Sequence, residues 1–81
     1  MWHLYILRAC DGTLYTGITL DVKRRIKTHH AGKGSRYLRG RLPAKLVYRE
    51  SLPDRSSALK REARIKRMAR REKLALIAGA S

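Results

Sequence analysis

An α+β fold follows from three features of the chain. A hairpin signal stands at the start, a second strand-like run lies near the middle, and a helix-forming stretch follows each. Residues 3–7 (His-Leu-Tyr-Ile-Leu) and 14–18 (Leu-Tyr-Thr-Gly-Ile) are rich in β-formers and flank Cys10-Asp11-Gly12, a turn-forming triplet. Residues 44–49 alternate in the manner of a half-buried strand. The expected order is β-β-α-β-α-α, in one domain over residues 1–81.

The hairpin has two available registers. A two-residue Asp11-Gly12 loop pairs Cys10 with Thr13 and puts Tyr5 and Tyr15 on opposite faces. A three-residue loop with Gly12 left-handed pairs Ala9 with Thr13 and slips the register by one. Tyr5 then lies opposite Gly17, and His3, Tyr5, Leu7, Tyr15 and Thr19 line one face. The second is favoured, because two phenols beside a bare glycine make a surface suited to close backbone approach. Ordinary strand tyrosines explain the same pattern equally well.

Asp21 is placed to cap a helix over residues 22–30 that ends at Gly32. At about 100° per residue, Val22, Arg25, Ile26 and His29 fall on one arc, so an arginine and a histidine share the face of the aliphatic anchors. An arginine with its stem at the rim and a core histidine would look the same. Residues 31–43 read as a loop with three glycines, Tyr37 and four basic residues, Lys33, Arg36, Arg39 and Arg41. Such a mixture suits backbone phosphates with one base stacked on the ring, and a solvated loop has the same composition. Walker spacing is missing, and with it a signature for a small-molecule nucleotide cofactor.

The third strand places Ala44, Leu46 and Tyr48 on one face and is broken by Leu52-Pro53. Asp54 then caps a helix beginning near Arg55. Ala58, Leu59, Ile65 and Ala69 fall within about 60° of Glu62, which puts a carboxylate at the centre of the apolar stripe. A carboxylate there asks for a cation or a metal. Residues 70–78 continue as helix, with a break near Ala69 left open and Gly79 as the stop.

Eighty-one residues support one small core and marginal stability. The 20 Lys and Arg residues against 6 Asp and Glu give a formal charge of +14, which calls for a polyanion; nucleic acid is the default. No stretch approaches a membrane span of about 18 apolar residues, and no secretory signal is visible. A single cysteine, Cys10, excludes an internal disulfide and suits a reducing cytoplasm. Of the acids, Asp11 belongs to the turn, Asp21 and Asp54 to caps, Glu50 to a strand end and Glu72 to a highly charged helix. Glu62 alone is mid-helix and core-facing. If a divalent ion such as Mg²⁺ or Mn²⁺ works here, Glu62 is its protein ligand, with water and phosphate oxygens completing the shell. A two-metal nuclease needs more convergent carboxylates, and a zinc site needs a cysteine–histidine pattern that the chain lacks.

Leu4-Tyr5-Ile6, Tyr15-Thr16-Gly17, Arg25, His29 and Glu62 occur in an order and spacing that resembles the GIY-YIG endonuclease superfamily, in particular its small stand-alone bacterial members. The resemblance covers nearly the whole chain. The first triplet's glycine is His3 here, Thr16 stands at the isoleucine of the second, and the asparagine that follows the glutamate in many family nucleases has no counterpart. The resemblance implies a three-stranded antiparallel sheet flanked by helices and metal-dependent hydrolysis of nucleic-acid phosphodiesters, for which DNA is the leading substrate. It assigns the active site to Tyr5, Tyr15, Arg25, His29 and the metal-binding Glu62, with Gly17 at the outer position of the second triplet.

Hydrolysis needs a nucleophilic water, charge compensation at phosphorus and protonation of the leaving oxygen. Arg25 suits the second need, since a guanidinium stays charged and offers paired donors to phosphate. A tyrosine with a pKa of about 10 is under about 1% ionised at neutral pH; nearby Arg, Lys and metal would lower that pKa. His29 is an alternative base or a relay, and which tyrosine acts stays open. Gly17, Arg24, Tyr37 and the basic residues of the 31–43 loop are the expected nucleic-acid contacts, with single-stranded or branched DNA as possible forms. A non-catalytic nucleic-acid-binding module and a basic RNA- or ribosome-associated protein are the rival readings; the last leaves Glu62 unexplained.

Overall fold

Turn chemistry sets the sheet. The computed structural model describes residues 1–79. Strands β1 (Trp2–Ala9) and β2 (Leu14–Thr19) are joined through Cys10-Asp11-Gly12, with Gly12 at φ +87°, a conformation that costs glycine little. Ala9 N–H donates to the Thr13 carbonyl at 2.8 Å, and Gly12 N–H to the Ala9 carbonyl at 2.9 Å. Asp11 Oδ1 accepts from Thr13 N–H at 3.0 Å. This is the three-residue loop, and the register is Tyr5 opposite Gly17, Leu7 opposite Tyr15 and His3 opposite Thr19. Both tyrosines therefore lie on one face.

Strand β3 (Ala44–Leu52) pairs antiparallel with the other side of β1, giving the order β2-β1-β3. The uninterrupted run Leu4-Tyr5-Ile6-Leu7 suits this central place, since all four side chains are buried. Tyr5, Leu7 and Ala9 pack with Val22, Leu38 and Ala44 on one face. Leu4 and Ile6 pack with Ile65 on the other.

β3 departs from the expected alternation. Ile6 pairs with Tyr48 but Leu7 pairs with Leu46, so Val47 is the extra residue of a bulge. Leu46 and Ala44 stay on the Tyr5 face, while Tyr48 and Val47 pack with Leu4 and Ile6. The grouping of Ala44, Leu46 and Tyr48 on one face is thus corrected, and the strand runs on to Leu52.

Helix α1 (Val22–His30) starts at Asp21, whose carboxylate accepts from Arg24 N–H at 3.1 Å, and is followed by Gly32 at φ +76°. The 31–43 segment is not wholly a loop. Ser35 caps a one-turn helix, α2 (Arg36–Arg39), by accepting from Tyr37 N–H at 3.1 Å, and Leu38 is buried in the core. Helix α3 (Arg55–Lys66) is capped by Asp54, which accepts from Ser57 N–H at 2.7 Å. Residues 67–69 break it from α4 (Arg70–Gly79). The missing cap residue there is made good from inside α4, where Glu72 Oε1 accepts from Ala69 N–H at 3.0 Å. Gly79, expected as the stop, is itself in α4 and is the last described residue, so the end of the helix lies outside the described residues. No described helix is long and apolar enough to cross a membrane.

Candidate active site

Tyr5 sits on the central strand, and its ring crosses the neighbouring edge strand at the one position without a side chain. A Cβ on Gly17 would lie 2.6 Å from the Tyr5 hydroxyl, so only glycine leaves room. The sequence reading gave Gly17 to an approaching nucleic-acid backbone. The structure corrects this, because the protein's own phenol fills that space and leaves Gly17 buried.

The Tyr5 hydroxyl meets His29 Nε2 at 2.9 Å in the protein interior. His29 comes from the buried side of α1, and the glycine-rich turn after that helix lies flat on its ring: a Cβ on Gly34 would be 2.2 Å from Nδ1. Ser35 N–H donates to that same Nδ1 at 3.3 Å. The hydrogen-bond network therefore assigns the neutral ring its proton on Nε2, which donates to the Tyr5 oxygen. Burial, and after it the Arg25 guanidinium, push His29 below the usual histidine range, which favours the neutral ring at pH 7. His30, its chain neighbour, takes the opposite tautomer. Its Nδ1–H donates to the Ile26 carbonyl at 3.0 Å, and its Nε2 accepts from Ala44 N–H at 3.2 Å, tying α1 to β3.

Arg25 extends from the same helix face to the Tyr5 hydroxyl and lowers its pKa. Burial outweighs this, and with smaller contributions from Tyr15 and the Glu62 carboxylate it pushes Tyr5 up to about 12. The expectation of a depressed tyrosine pKa is therefore not met for Tyr5 in the protein alone. Tyr15 completes the aromatic cluster, its ring centroid 6.3 Å from that of Tyr5 and 5.3 Å from that of His29.

Glu62 reaches this cluster from α3, close enough to raise Tyr5. It lies at the rim, not at the centre of an apolar stripe: Ala58 and Ile65 are buried, but Leu59 is 41% exposed. The Glu62 side chain is 20% exposed and meets Lys66 Nζ at 3.4 Å. The helix is held by Glu50, which sequence reasoning passed over. Its Oε1 accepts from Arg61 Nε at 2.6 Å, and its Oε2 accepts from Tyr48 Oη–H. Those partners are far apart in the chain, and only the Val47 bulge turns Tyr48 toward them. Among the described residues no three His, Cys, Asp or Glu side chains converge. A single carboxylate does not make a zinc cage. It fits Mg²⁺, which keeps much of its water and takes one or two carboxylates with substrate phosphates.

The other predicted contacts are dispersed. Arg24 is exposed and, with Arg25, Trp2, Leu20 and Thr28, lines an open groove of about 420 Å³. Lys33 and Arg36 are exposed. Arg39 donates from Nε to the Gly32 carbonyl at 3.1 Å. Arg41 donates to the Tyr37 carbonyl at 2.8 Å, covers the Tyr37 ring at 4.4 Å and pairs with Asp11 at 3.2 Å. Arg39 and Arg41 thus shape the α2 segment.

A three-stranded antiparallel sheet flanked by helices, with a tyrosine on its central strand, a second beside the glycine of the edge strand, and an arginine and histidine one turn apart, is the arrangement of a GIY-YIG module. The model of the GIY-YIG catalytic domain matches residues 1–75, and the chain belongs to that family. Its relatives include UPF0213 proteins of Streptococcus agalactiae (49% identical over 75 residues, 93% of this chain and 85% of the relative) and Halobacterium salinarum (49% over 76 residues, 94% and 99%). The solution NMR structure of a UPF0213 protein from Bacillus halodurans superposes with a TM-score of 0.62 at 44% identity, covering 96% of this chain and 84% of that one.

Proposed function

We propose that the protein is a divalent-metal-dependent endonuclease that hydrolyses DNA phosphodiester bonds. The observation that carries this is the Tyr5–His29 hydrogen bond over Gly17, with Arg25 and Glu62 near enough to act on the Tyr5 hydroxyl through their charge. Arg25 binds the non-bridging oxygens of the phosphate and compensates their growing charge. Tyr5, after losing its own phenolic proton to solvent on the open side of the site, takes the proton from the attacking water as the phenolate, and His29 is a positioning residue. Its Nε2–H donates to the phenol oxygen, so it stabilises the phenolate and turns the Tyr5 proton toward the open side of the site. The Ser35 contact at Nδ1 supports this division of labour over one in which His29 removes the Tyr5 proton. Tyr15 walls the site. Glu62 would hold Mg²⁺ or Mn²⁺, which would supply positive charge against the phosphate and the leaving oxygen and would offset the carboxylate's upward push on Tyr5.

One observation favours a second reading. With Tyr5 raised to about 12, the unliganded protein holds almost no phenolate, as a binding module without turnover would. Purified protein with Mg²⁺ or Mn²⁺ and labelled single-stranded, duplex and branched DNA separates the two. Cleavage lost on EDTA addition and in Glu62→Ala, with DNA binding retained, is the expected result. Arg25→Ala should cut turnover far more than affinity. Tight, salt-sensitive binding without cleavage of any substrate would replace the enzyme reading with the module.

A further inference from the structure

Next to the Tyr5–Arg25 centre, on the α4 side, lies an open groove of about 280 Å³ whose lining includes Tyr15, Ser35, Tyr37, Lys66 and Lys73. Two of its walls are aromatic. Tyr37 is 48% exposed; Arg41 covers one face of its ring at 4.4 Å, and the ring stands 6.4 Å from that of Tyr15, with the planes 33° apart. Tyr15 in turn stands beside Tyr5 and His29, so the groove and the catalytic cluster share a wall. The opposite side is cationic: Lys66 lies in the last turn of α3 and Lys73 in the first turns of α4, and the break between those helices lets both line one groove. Lys66 also stands between the groove and the Glu62 carboxylate, which it meets at 3.4 Å.

We propose that this groove is a nucleotide subsite. Resting on the nucleic-acid reading above, it takes the unpaired nucleotide adjacent to the phosphate at Arg25, with the base against Tyr37 and the phosphate between Lys66 and Lys73. An aromatic face accepts any base, and paired ammonium groups accept phosphate without reading sequence. Within a duplex the base face is covered by its neighbours, so occupancy requires an unstacked nucleotide.

The test is fluorescence anisotropy with a fluorescein-labelled single-stranded oligodeoxynucleotide in EDTA, so that binding is read without cleavage. Lys73→Ala should flatten the dependence of log Kd on log salt by about 0.7, one phosphate contact on a single strand, and Lys73→Arg should restore it. Tyr37→Ala should weaken binding about 5- to 150-fold, the range for one stacked base, while Tyr37→Phe should not. An oligonucleotide with one abasic position should lose affinity for the wild type but not for Tyr37→Ala. Lys60→Ala, on the opposite side of α3, serves as control and should leave the slope unchanged; thermal melts confirm that the variants fold. Unchanged binding in both Lys73→Ala and Tyr37→Ala, or equal slope changes for Lys60→Ala and Lys73→Ala, would overturn the subsite. A wild type that binds in this pattern but cleaves no substrate loses the enzyme reading and keeps the subsite. One that cleaves while these variants bind normally loses the subsite alone.

Discussion

The two faces of the sheet are built from alternate residues of the same strand, yet they do different work. On one, Leu4 and Ile6 meet Ile65 and the partly buried Leu76 and Ile77, and shape is satisfied by hydrocarbon. On the other, Tyr5 occupies an equally buried position but carries a hydroxyl that His29 and Arg25 address. Polar groups in such places are costly unless they are partnered, so the α1–α2 face spends packing on a hydrogen-bonded cluster while the α3–α4 face supplies stability. Gly17 and Gly34 are needed only on the first, where a phenol and an imidazole press against main chain.

Substitutions on the two faces should therefore fail in different assays. Tyr5→Phe carries the largest effect: on whichever DNA form is cleaved, turnover should fall about 10²–10⁴-fold, the usual worth of a positioned proton acceptor. Stability should drop by only about 1 kcal/mol for the lost hydrogen bond, read by urea unfolding. Comparable turnover in Tyr5→Phe would remove Tyr5 from the chemistry. Ile6→Ala, one residue along, should do the reverse. It should cost about 2–5 kcal/mol of stability while activity per folded molecule is kept.

The response to pH separates the faces next. His29 has a folded pKa below its ordinary value. The unfolded chain therefore binds more protons as pH falls through about 6.5. Stability is complete above that pH and declines on acidification, and His29→Gln should flatten this limb. Tyr5 has a folded pKa of about 12. Above pH of about 10 the unfolded chain loses its phenolic proton first, so stability falls as pH rises through that window. Tyr48 is also raised, by burial and by its bond to Glu50, so the Tyr5 share is the difference between wild type and Tyr5→Phe. The smallest effect belongs to the apolar face. Thr16 has a buried hydroxyl with no hydrogen-bond partner among the described residues, and Thr16→Val should stabilise by about 1 kcal/mol by removing an unsatisfied group. A loss of stability there would show that water or a neighbour satisfies the hydroxyl.

How far the chain could be read in advance depended on how local each determinant was. The hairpin was legible because Gly12 and Asp11 carry their own turn chemistry, but that chemistry allowed two registers, and only the two phenols beside a bare glycine favoured the one that sets Tyr5 over Gly17. Arg25 and His29 could be placed by helical spacing once Asp21 was recognised as a cap. Helix α2 was not legible, since one buried leucine among glycines and basic residues has no period. The Val47 bulge was invisible because an alternating run looks the same with or without it, and Tyr48 was assigned to the wrong face as a result. The Glu50–Arg61 pair spans a strand and a helix that only tertiary packing brings together. Tyr5 is the instructive case for chemistry. Sequence shows the cations that lower its pKa but not the burial that wins.

The strand order also bears on how copies of the protein behave toward one another. β3 lies at the outer margin, away from the Gly17 crossing, and such a margin is a template for another chain. Exposed Lys45 and Arg49 stand along it, and a net charge of +14 keeps neighbours apart. A bound polyanion removes that repulsion, so solubility and ligand are linked. Turbidity should peak where added nucleic acid just neutralises the protein and clear again in excess.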